Sequence, residues 1–505
     1  MSEFLALVDL ASERFGGMVE YANDEFFAEK ENLLTAAEPV SDPARYTDHG
    51  KWMDGWESRR RRTPGHDFCI VRLGLPGVIR GVVVDTSFFT GNFPEACSID
   101  AANLAGSPPV DELTSDAIAW TTILPRTTLA GNSHNLFEIA DGHRYTHLRF
   151  HIYPDGGVAR LRVHGLPVPN WRRLLAHGRT LDLVAAANGG RALGANDSHY
   201  GAPDNMVLPG RGIHMGDGWE TRRRRGPGND WTIFQLAAEG VVDLVEVDTC
   251  HFKGNYPDRC TVEVIRAPAA TFEELSRPET AWTPLLSMTS LRPHTLHAFD
   301  DELVEAGPVT HARLSIFPDG GISRFHVFGR VTEAAREGLM IDWLNGLSLT
   351  EALPVFGRCC GSARWATDLA IARPFDGKAA LLEASRTIMD GLDREDWLEA
   401  FAAHPPIGGG ENGAQDAVAS RWSEHEQAGA HTASDDVLEQ LVEVNFAYAE
   451  KFEYTYIVCA TGQTAEAMLE LARARMDNEP GEELKVAAGE QRKITELRLL
   501  RLLAP

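Results

Sequence analysis

The chain has 505 residues, of which 43% are hydrophobic and 24% charged, and its formal net charge is −25 at pH 7. One hydrophobic core does not serve a chain of this length, so we expect two to four domains. The acidic balance disfavours nucleic acid and anionic membranes as partners, because both require a basic surface.

A long internal repeat fills the first two thirds of the chain. Residues 54–62, DGWESRRRR, return as residues 217–225, DGWETRRRR, a shift of 163 positions (217 − 54). Residues 85–94 return as residues 248–257 at the same shift. A unit of this length indicates a duplicated domain rather than a solenoid repeat.

A third matched segment, T-H-x-R…I-x-P-D-G-G, covers residues 146–157 and again 310–321. Short β-branched runs such as residues 78–84 lie between turn residues, which favours a β-sandwich of jelly-roll type in each repeat. The Pro-Asp-Gly-Gly steps at 154–157 and 318–321 predict hairpin turns.

After about residue 332 the sequence changes to helical periodicity. Apolar residues at helical spacing occur in 381–390, 437–445, 464–473 and 490–503. We therefore expect three domains: two β jelly rolls at residues 1–170 and 171–335, followed by an all-helical domain at residues 340–505.

Each repeat combines carboxylates with a run of four arginines. Side chains on a strand alternate between its faces, so at most two arginines of each run could enter one site. Arginine suits a carboxylate ligand because it donates two parallel hydrogen bonds. The repeats differ where Phe88 stands at the position of His251, which would place an acid–base histidine in the second repeat only. Gly91 and Gly254 are expected to give the loop after the strand its permissive backbone.

Some polar residues of the repeats have two interpretations. Asn92 and Asn255 could cap the loop or belong to the site. His147 and His311 could be metal ligands or hydrogen-bonded structural histidines.

The three repeated segments resemble those of allantoicase over about residues 5–331. The resemblance implies two galactose-binding-like jelly rolls and hydrolysis of allantoate to ureidoglycolate and urea. For that reaction, arginine, carboxylate and histidine side chains can hold the substrate carboxylate and protonate the leaving nitrogen. The candidate residues of the allantoate site are Glu57, Arg59, Asp85, Glu220, Arg222, Asp248 and His251.

The helical third carries a second group of motifs. His404 opens the run HPPIGG, residues 423–427 read SEHEQ, and residues 456–460 read YIVCA. Alone, the histidine before proline is typical of a helix boundary, and Ser423 with Glu426 could form a capping box. Together these segments resemble 2-oxo-4-hydroxy-4-carboxy-5-ureidoimidazoline (OHCU) decarboxylase, from about residue 344 to 503.

This second resemblance implies site residues and a reaction that makes (S)-allantoin. His404 would donate a proton and Glu426 would bind the substrate hydroxyl. The substrate-binding positions would be Pro405, Ser423, Glu424, His425, Gln427, Ile457, Val458, Cys459, Ala460 and Arg498. Arg492 is the alternative to Arg498 as the carboxylate ligand. The chain departs from the family at Glu453, where many members have glycine, which puts the local turn in doubt.

We therefore expect a bifunctional enzyme of urate breakdown with no cofactor and no metal, since the decarboxylase substrate's own C=N and carbonyl groups can absorb the electrons. The expected partners are small ureido substrates and further copies of the chain. Dispersed cysteines, the lack of a leader peptide and the lack of a long apolar run predict a cytoplasmic protein with reduced thiols. In the alternative interpretation, the β half is a lectin-like binding module attached to the decarboxylase.

Overall fold

Alternating buried and exposed side chains build two eight-stranded antiparallel sheets in the first two thirds of the chain. The computed structural model describes residues 3–104, 106, 108–404 and 435–504. It divides the chain into two units, Met1–Ala335 and Arg336–Pro505. The β-repeats occupy the first unit, and the regular secondary structure of the described part of the second is helical.

The strands of the first repeat are β1 (Val8–Asp9), β2 (Met18–Ala22), β3 (Tyr46–Thr47), β4 (Gly50–Lys51), β5 (Trp56–Glu57), β6 (Asp67–Asp85), β7 (Ala96–Ala102), β8 (Thr121–Thr128), β9 (His134–Glu138), β10 (Arg144–Tyr153), β11 (Gly157–Val158) and β12 (Arg160–Pro167). The main sheet runs β1-β12-β6-β10-β7-β8, with β2 and β9 also paired to β6. The long strand β6 pairs with β10 mainly through its first half and with β12 through its second half. It therefore links the two layers of the sandwich.

The strands of the second repeat are β13 (Leu181–Asp182), β14 (Arg191–Ala195), β15 (Trp219–Glu220), β16 (Asp230–Asp248), β17 (Arg259–Ile265), β18 (Thr283–Ser290), β19 (Leu296–Phe299), β20 (Val309–Phe317), β21 (Gly321–Ile322) and β22 (Arg324–Val331). Their order, β13-β22-β16-β20-β17-β18 with β14 and β19 on β16, repeats that of the first sheet.

Short helices connect these strands. The α-helical turns are α1 (Val110–Leu113), α2 (Trp171–Leu175) and α3 (Phe272–Leu275). The 3-10 turns are Glu3–Ala6, Glu13–Phe15, Lys30–Leu34, Ala176–Gly178, Ala186–Asn188, Pro203–Val207 and Met215–Asp217.

Two sequence predictions about the repeats are wrong. The Pro-Asp-Gly-Gly steps do not close hairpins, because β11 pairs with β5, and β21 with β15, instead of returning along the preceding strand. The arginine runs do not lie on strands either, because β5 and β15 end at Glu57 and Glu220. In each repeat, the Pro-Asp-Gly-Gly segment and the arginine run lie at the end of the sandwich, where the repeated motifs meet.

The Gly-Trp pair of each DGWE motif is explained by packing. Trp56 and Trp219 are fully buried, and each indole Nε1 donates to a backbone carbonyl at 2.8 Å. A Cβ at Gly55 would lie 2.5 Å from the Val158 carbonyl oxygen, which only glycine tolerates. Truncating a tryptophan packed in this way costs about 3–5 kcal/mol of stability.

The second unit consists of helices whose apolar faces pack together. They are α4 (Glu333–Asn345), α5 (Leu349–Gly357), α6 (Ala363–Ile371), α7 (Lys378–Asp390), α8 (Arg394–Ala402), α9 (Asp435–Phe452), α10 (Ala465–Arg475) and α11 (Pro480–Leu503). Ser348 and Asp393 begin α5 and α8 with capping boxes, which satisfy backbone donors that a helix start leaves open. Trp365, Phe356 and Phe401 are fully buried.

All seven cysteines lie in the described residues and are free thiols. Within the same part of the chain, no helix combines the length and hydropathy that crossing a bilayer requires.

Candidate active sites

The repeated motifs converge at one end of each sandwich. In the first repeat, Glu57 at the end of β5 accepts a hydrogen bond from Asn92 Nδ2 at 2.6 Å. In the second, Asn255 makes the same bond to Glu220 at 2.5 Å. Burial raises the pKa of Glu57, and the bond from Asn92 opposes this. The asparagines therefore hold a carboxylate beneath the loop.

The first arginines of the two runs point away from these carboxylates. Arg59 Nε donates to Asp24 at 2.7 Å, and Arg222 Nε donates to Asp197 at 2.9 Å. Their side chains are 63% and 68% exposed. Within the described structure, Arg59 and Arg222 thus form surface ion pairs in both repeats, and the motif carboxylates lie elsewhere.

The loop after β6 has an unexpected source of positive φ. Neither Gly91 nor Gly254 adopts the left-handed conformation. Phe88 and His251 each have φ of 69° instead. The prediction that the glycines supply the permissive backbone is therefore wrong. A bulky side chain held in this region of φ is unfavourable and is often found at functional sites.

An open cavity of about 440 Å³ lies at the end of the first repeat. Asp85, 3% exposed at the end of β6, lines it beside His134, the first residue of β9. The His134 Nε2 to Asp85 Oδ2 distance is 3.5 Å, and the histidine side chain is 57% exposed. A buried carboxylate therefore lies near an accessible imidazole, and both residue types can serve in general acid–base chemistry.

Both repeats contribute to this cavity. Arg14, from the 3-10 turn before β2, lines it and donates to Asp217 of the second repeat at 2.6 Å. Asn205 of the second repeat is also part of its wall. Arg162 adds a second guanidinium from β12. Both guanidiniums already have protein partners, since Arg162 lies 3.7 Å from Asp9 and donates to the Ala36 carbonyl at 3.2 Å, so a small carboxylate would have to share them.

Buried arginines support the same end of each sandwich. Arg160 is 2% exposed and pairs with Asp54 at 3.0 Å, and Arg324 is 3% exposed and pairs with Asp217 at 2.9 Å. Each also donates to backbone carbonyls. Because these guanidiniums are saturated by their own repeat, we assign them to the framework rather than to ligand binding.

The second repeat has different side chains at the matching end. Asp248 pairs with Arg211 at 3.2 Å, and the strand register puts Leu296 where the first repeat has His134. His251 Nε2 lies 2.8 Å from the Gly212 carbonyl oxygen, and the His251 amide donates to His294 Nδ1. The acid–base pair seen at Asp85 therefore has no direct copy here.

Two groups of three described side chains place potential metal-ligand atoms within 4.8 Å of one another. One consists of Glu38, Asp85 and His134, and the other of Cys250, His251 and His294. Carboxylate-rich and thiol–imidazole sets suit different metals. Each group lies at the motif end of its repeat.

His147 and His311 are buried at equivalent positions away from the cavity. Each Nδ1 lies about 3 Å from the hydroxyl of the preceding threonine, 2.9 Å and 3.0 Å respectively. Burial lowers the pKa of both histidines to about 4, so they are neutral at pH 7. Asp155 and Asp319 accept bonds from the Arg61 and Arg224 amides, as turn residues do.

In the helical unit, a buried polar group surrounds His404. Gln491, Thr495 and Arg498 follow one face of α11 at i, i+4 and i+7, and all three are buried. His404 Nε2 and Gln491 Oε1 are buried without a hydrogen-bond partner in the described residues. The interaction of Gln491 with His404 raises the pKa of the histidine, so these two polar groups lie side by side in the buried cluster.

Electrostatics links His404 to Arg498. Burial lowers the pKa of His404 to about 3, and the positive charge of Arg498 acts in the same direction. Arg492, the alternative carboxylate ligand, is instead 41% exposed and pairs with Asp390 at 2.6 Å. Arg498, at 5% exposure, is therefore the arginine beside the catalytic candidate.

The segment Ile457–Ala460 is held by side chains of the same unit. Arg475 donates to the Ile457 carbonyl at 2.8 Å, and the Cys459 amide donates to Glu490 at 2.8 Å. Ile457, Val458 and Ala460 are buried. These bonds fix the segment, and they occupy backbone groups of Ile457 and Cys459, two of the expected substrate-binding positions.

Six of the predicted decarboxylase residues lie outside the described residues: Pro405, Ser423, Glu424, His425, Glu426 and Gln427. Glu453 is described, and its φ of 71° is the left-handed conformation that glycine favours. The departure from the family pattern therefore falls at a position where backbone geometry explains the family's glycine.

Five residues of the two sites were not predicted: Arg14, His134, Arg162, Gln491 and Thr495. His134 has no matching histidine in the second repeat, so the repeated motifs do not include it. The available signal was the difference between the repeats. His134 stands in the first repeat at the position that Leu296 occupies in the second. The stripe on α11 could have been found from its helical spacing.

Comparisons with known proteins agree with the two-part architecture. The allantoicase-repeat family model matches residues 8–168 and 181–332, and the OHCU decarboxylase family model matches residues 345–500. "Probable allantoicase 1" of Burkholderia mallei is 51% identical over 322 residues, covering 64% of this chain and 94% of that protein. These matches favour an enzyme over a lectin-like module.

Two solved structures are also similar. Allantoicase from Saccharomyces cerevisiae has 33% identity and a TM-score of 0.55, covering 65% of this chain and 96% of that chain. OHCU decarboxylase crystallised with (S)-allantoin has 36% identity and a TM-score of 0.26, covering 30% of this chain and 97% of that chain.

Proposed function

Because the chain belongs to the allantoicase family and carries an OHCU decarboxylase domain after its two repeats, we propose that it catalyses two steps of urate breakdown. The β half hydrolyses allantoate to ureidoglycolate and urea. The helical half decarboxylates 2-oxo-4-hydroxy-4-carboxy-5-ureidoimidazoline to (S)-allantoin. The enzymes of both families act on small ureido compounds.

The allantoate site is the cavity at the end of the first repeat. The observation that carries this assignment is the Asp85–His134 pair lying beside Arg14 and Arg162. The two guanidiniums would hold the substrate carboxylate through charge-assisted hydrogen bonds. His134 would then face the carbon that bears both ureido groups.

In this site His134 exchanges protons during cleavage of the carbon–nitrogen bond. One ureido nitrogen must be protonated before urea can leave, and water must supply the hydroxyl of ureidoglycolate. An imidazole oriented by Asp85 can serve as the general acid for the first event and the base for the second. Glu57 and Glu220, each bonded to an asparagine, support the loops in this proposal.

The test is urea release from allantoate by the purified chain and its Asp85→Asn variant. We expect Asp85→Asn to lower kcat strongly, since the amide cannot stabilise an imidazolium. The matched variant Asp248→Asn in the second repeat should retain most of the activity. Full activity of Asp85→Asn would contradict the assignment.

The decarboxylase site is the buried group around His404. The carrying observation is that His404 Nε2 and Gln491 Oε1 are unpaired atoms beside Arg498. Arg498 would bind the substrate carboxylate, and this anion would offset the charge that lowers the pKa of His404. His404 could then deliver a proton to one face of the carbon that loses CO₂. Glu426 is proposed to bind the hydroxyl.

For this half the test variant is His404→Ala. We expect it to abolish enzymatic CO₂ release from freshly generated substrate while urea release from allantoate continues, and circular dichroism melting checks that the helical unit is folded. Stereospecific production of (S)-allantoin by His404→Ala would rule out the proton-donor role. Arg498→Lys should mainly raise KM, because lysine cannot form the bidentate bond.

We also propose domain limits of 1–170, 171–335 and 340–505, a cytoplasmic location and a homo-oligomeric state. Seven free thiols support the reducing compartment. Limited proteolysis tests the domain limits, and light scattering on the purified chain tests the oligomer.

A further inference from the structure

The two sandwiches also differ at a position beside the start of β6 and the end of β10. In the first repeat, His66, which directly precedes β6, forms a ring cluster with His151 and Tyr153 of β10. The His66 Nε2 to His151 Nδ1 distance is 2.9 Å, and the His66 and Tyr153 ring centroids are 4.6 Å apart. His151 Nε2 continues the chain of bonds to Asp100 at 3.1 Å.

The second repeat has small or amide side chains in place of the two imidazoles. Strand register sets Ser315 opposite Thr261, as His151 is opposite Ser98. At the 163-residue shift, Asn229 stands where His66 stands (229 − 66). An open cavity of about 430 Å³ lies here, lined by Asn229, Ser315 and neighbouring residues.

The carboxylate beneath this position loses donors between the repeats. Asp100 is bonded to Thr122 at 2.7 Å, to Arg149 at 3.0 Å and to His151. Its counterpart Glu263 accepts two bonds, both from Arg313 and both on Oε2. Pro284 stands in place of the threonine and Ser315 in place of the histidine. Glu263 therefore receives neither the threonine hydroxyl bond nor the imidazole bond that Asp100 has.

We propose that this cavity of the second repeat binds a small neutral nitrogen heterocycle, of the five-membered cyclic ureide class. The first repeat fills the same space with its own imidazoles, which sets the size and flat shape of the missing group. A ring N–H would supply a donor to Glu263 Oε1, and ring carbonyls would accept from Ser315 and Asn229. Trp231 and Phe317 offer apolar ring surfaces in the same wall.

Charge selects a neutral ligand over an anionic one. Glu263 and Arg313 neutralise each other at 2.6 Å, and Arg313 also lies over the Trp282 ring at 4.8 Å. An anion would have to compete with Glu263 for this arginine. The cavity therefore differs in chemistry from the site at Asp85, whose two guanidiniums suit a carboxylate, and it shares no lining residue with that site.

The experiment is a calorimetric titration of the full chain with hydantoin, a neutral cyclic ureide. Its key variant is Asn229→His/Ser315→His, which installs the rings of the first repeat in the second. We expect wild type to bind one more hydantoin per chain than this variant, while the variant releases urea from allantoate at the wild-type rate. Circular dichroism melting checks folding, and Ser315→His alone replaces the double variant if the latter melts early.

The matched control is His66→Asn/His151→Ser, which opens the equivalent space in the first repeat. It should bind one additional hydantoin relative to wild type. The proposal is overturned if wild type and Asn229→His/Ser315→His bind equal numbers of hydantoin molecules. It is also overturned if wild type shows no saturable binding. Counting the difference between variants excludes hydantoin bound at either catalytic site.

Discussion

The two β-repeats share a framework and differ in their polar ends. The buried pairs Arg160–Asp54 and Arg324–Asp217 are equivalent, and so are the buried tryptophans of the DGWE motifs. Yet His134 lies beside Asp85 in one repeat, whereas an arginine lies beside Asp248 in the other. Repetition in the sequence therefore marks what both sandwiches need in order to fold. The differences lie at the polar ends, where we propose the allantoate site.

The largest expected effect separates the two histidines of the motif ends. His134→Ala should lower kcat/KM for urea release by about 10²–10⁴-fold, the usual contribution of a general acid–base residue. His251→Ala, at the motif end of the second repeat, should change it by less than about fivefold. Steady-state urea assays on both variants measure this. Equal losses would mean that the two ends act together and that the comparison is wrong.

A second pair of variants should behave alike. Arg160→Met removes the arginine partner of Asp54, and Arg324→Met removes one from Asp217, which keeps its bond to Arg14, so each change should cost up to about 3–5 kcal/mol. Denaturant unfolding of the full chain measures the change. A loss in only one repeat would show that the shared framework is less symmetric than its distances suggest.

The sequence predicted the duplication, the β-rich repeats and the helical third, because each is encoded in local periodicity. It did not predict His134, since its partner Asp85 lies 49 positions away (134 − 85) and only the β6–β9 pairing joins them. The arginine runs are the opposite case, because their repetition suggested a site that the contacts of Arg59 and Arg222 do not form. Their repetition was conspicuous, but Arg59 and Arg222 are held at the surface by Asp24 and Asp197.

A third prediction concerns pH and applies to both repeats. Folding lowers the pKa of His147 and His311 from about 6.5 to about 4, so the unfolded chain binds more protons between these values. Stability should therefore fall as pH decreases from 6.5 towards 4, by about 1 kcal/mol for each histidine once solvent screening is allowed for. His147→Gln and His311→Gln should each remove a similar share of this dependence, measured by denaturant unfolding at pH 5 and pH 7. Unchanged pH dependence in either variant would contradict it.

The smallest effect is expected at the motif glutamates. Because burial raises the pKa of Glu57 in the folded state, its ionisation destabilises the fold above that pKa, and the penalty disappears as pH falls below the unfolded value. Glu57→Gln keeps an oxygen for Asn92 and should stabilise the chain at pH 7 by less than about 1 kcal/mol. Glu220→Gln, at a less buried position, should give no measurable gain in thermal melting. A larger gain for Glu220→Gln would reverse this ranking.

The bond from Arg14 to Asp217 has a consequence for the history of the chain. Duplication ordinarily yields two interchangeable centres, one of which is free to decay. Here Asn205 of one copy lines the cavity of the other, so under the proposed assignment the doubled scaffold would bind one allantoate per chain. Under that assignment, deleting either repeat would remove part of the cavity wall, so neither copy would be redundant.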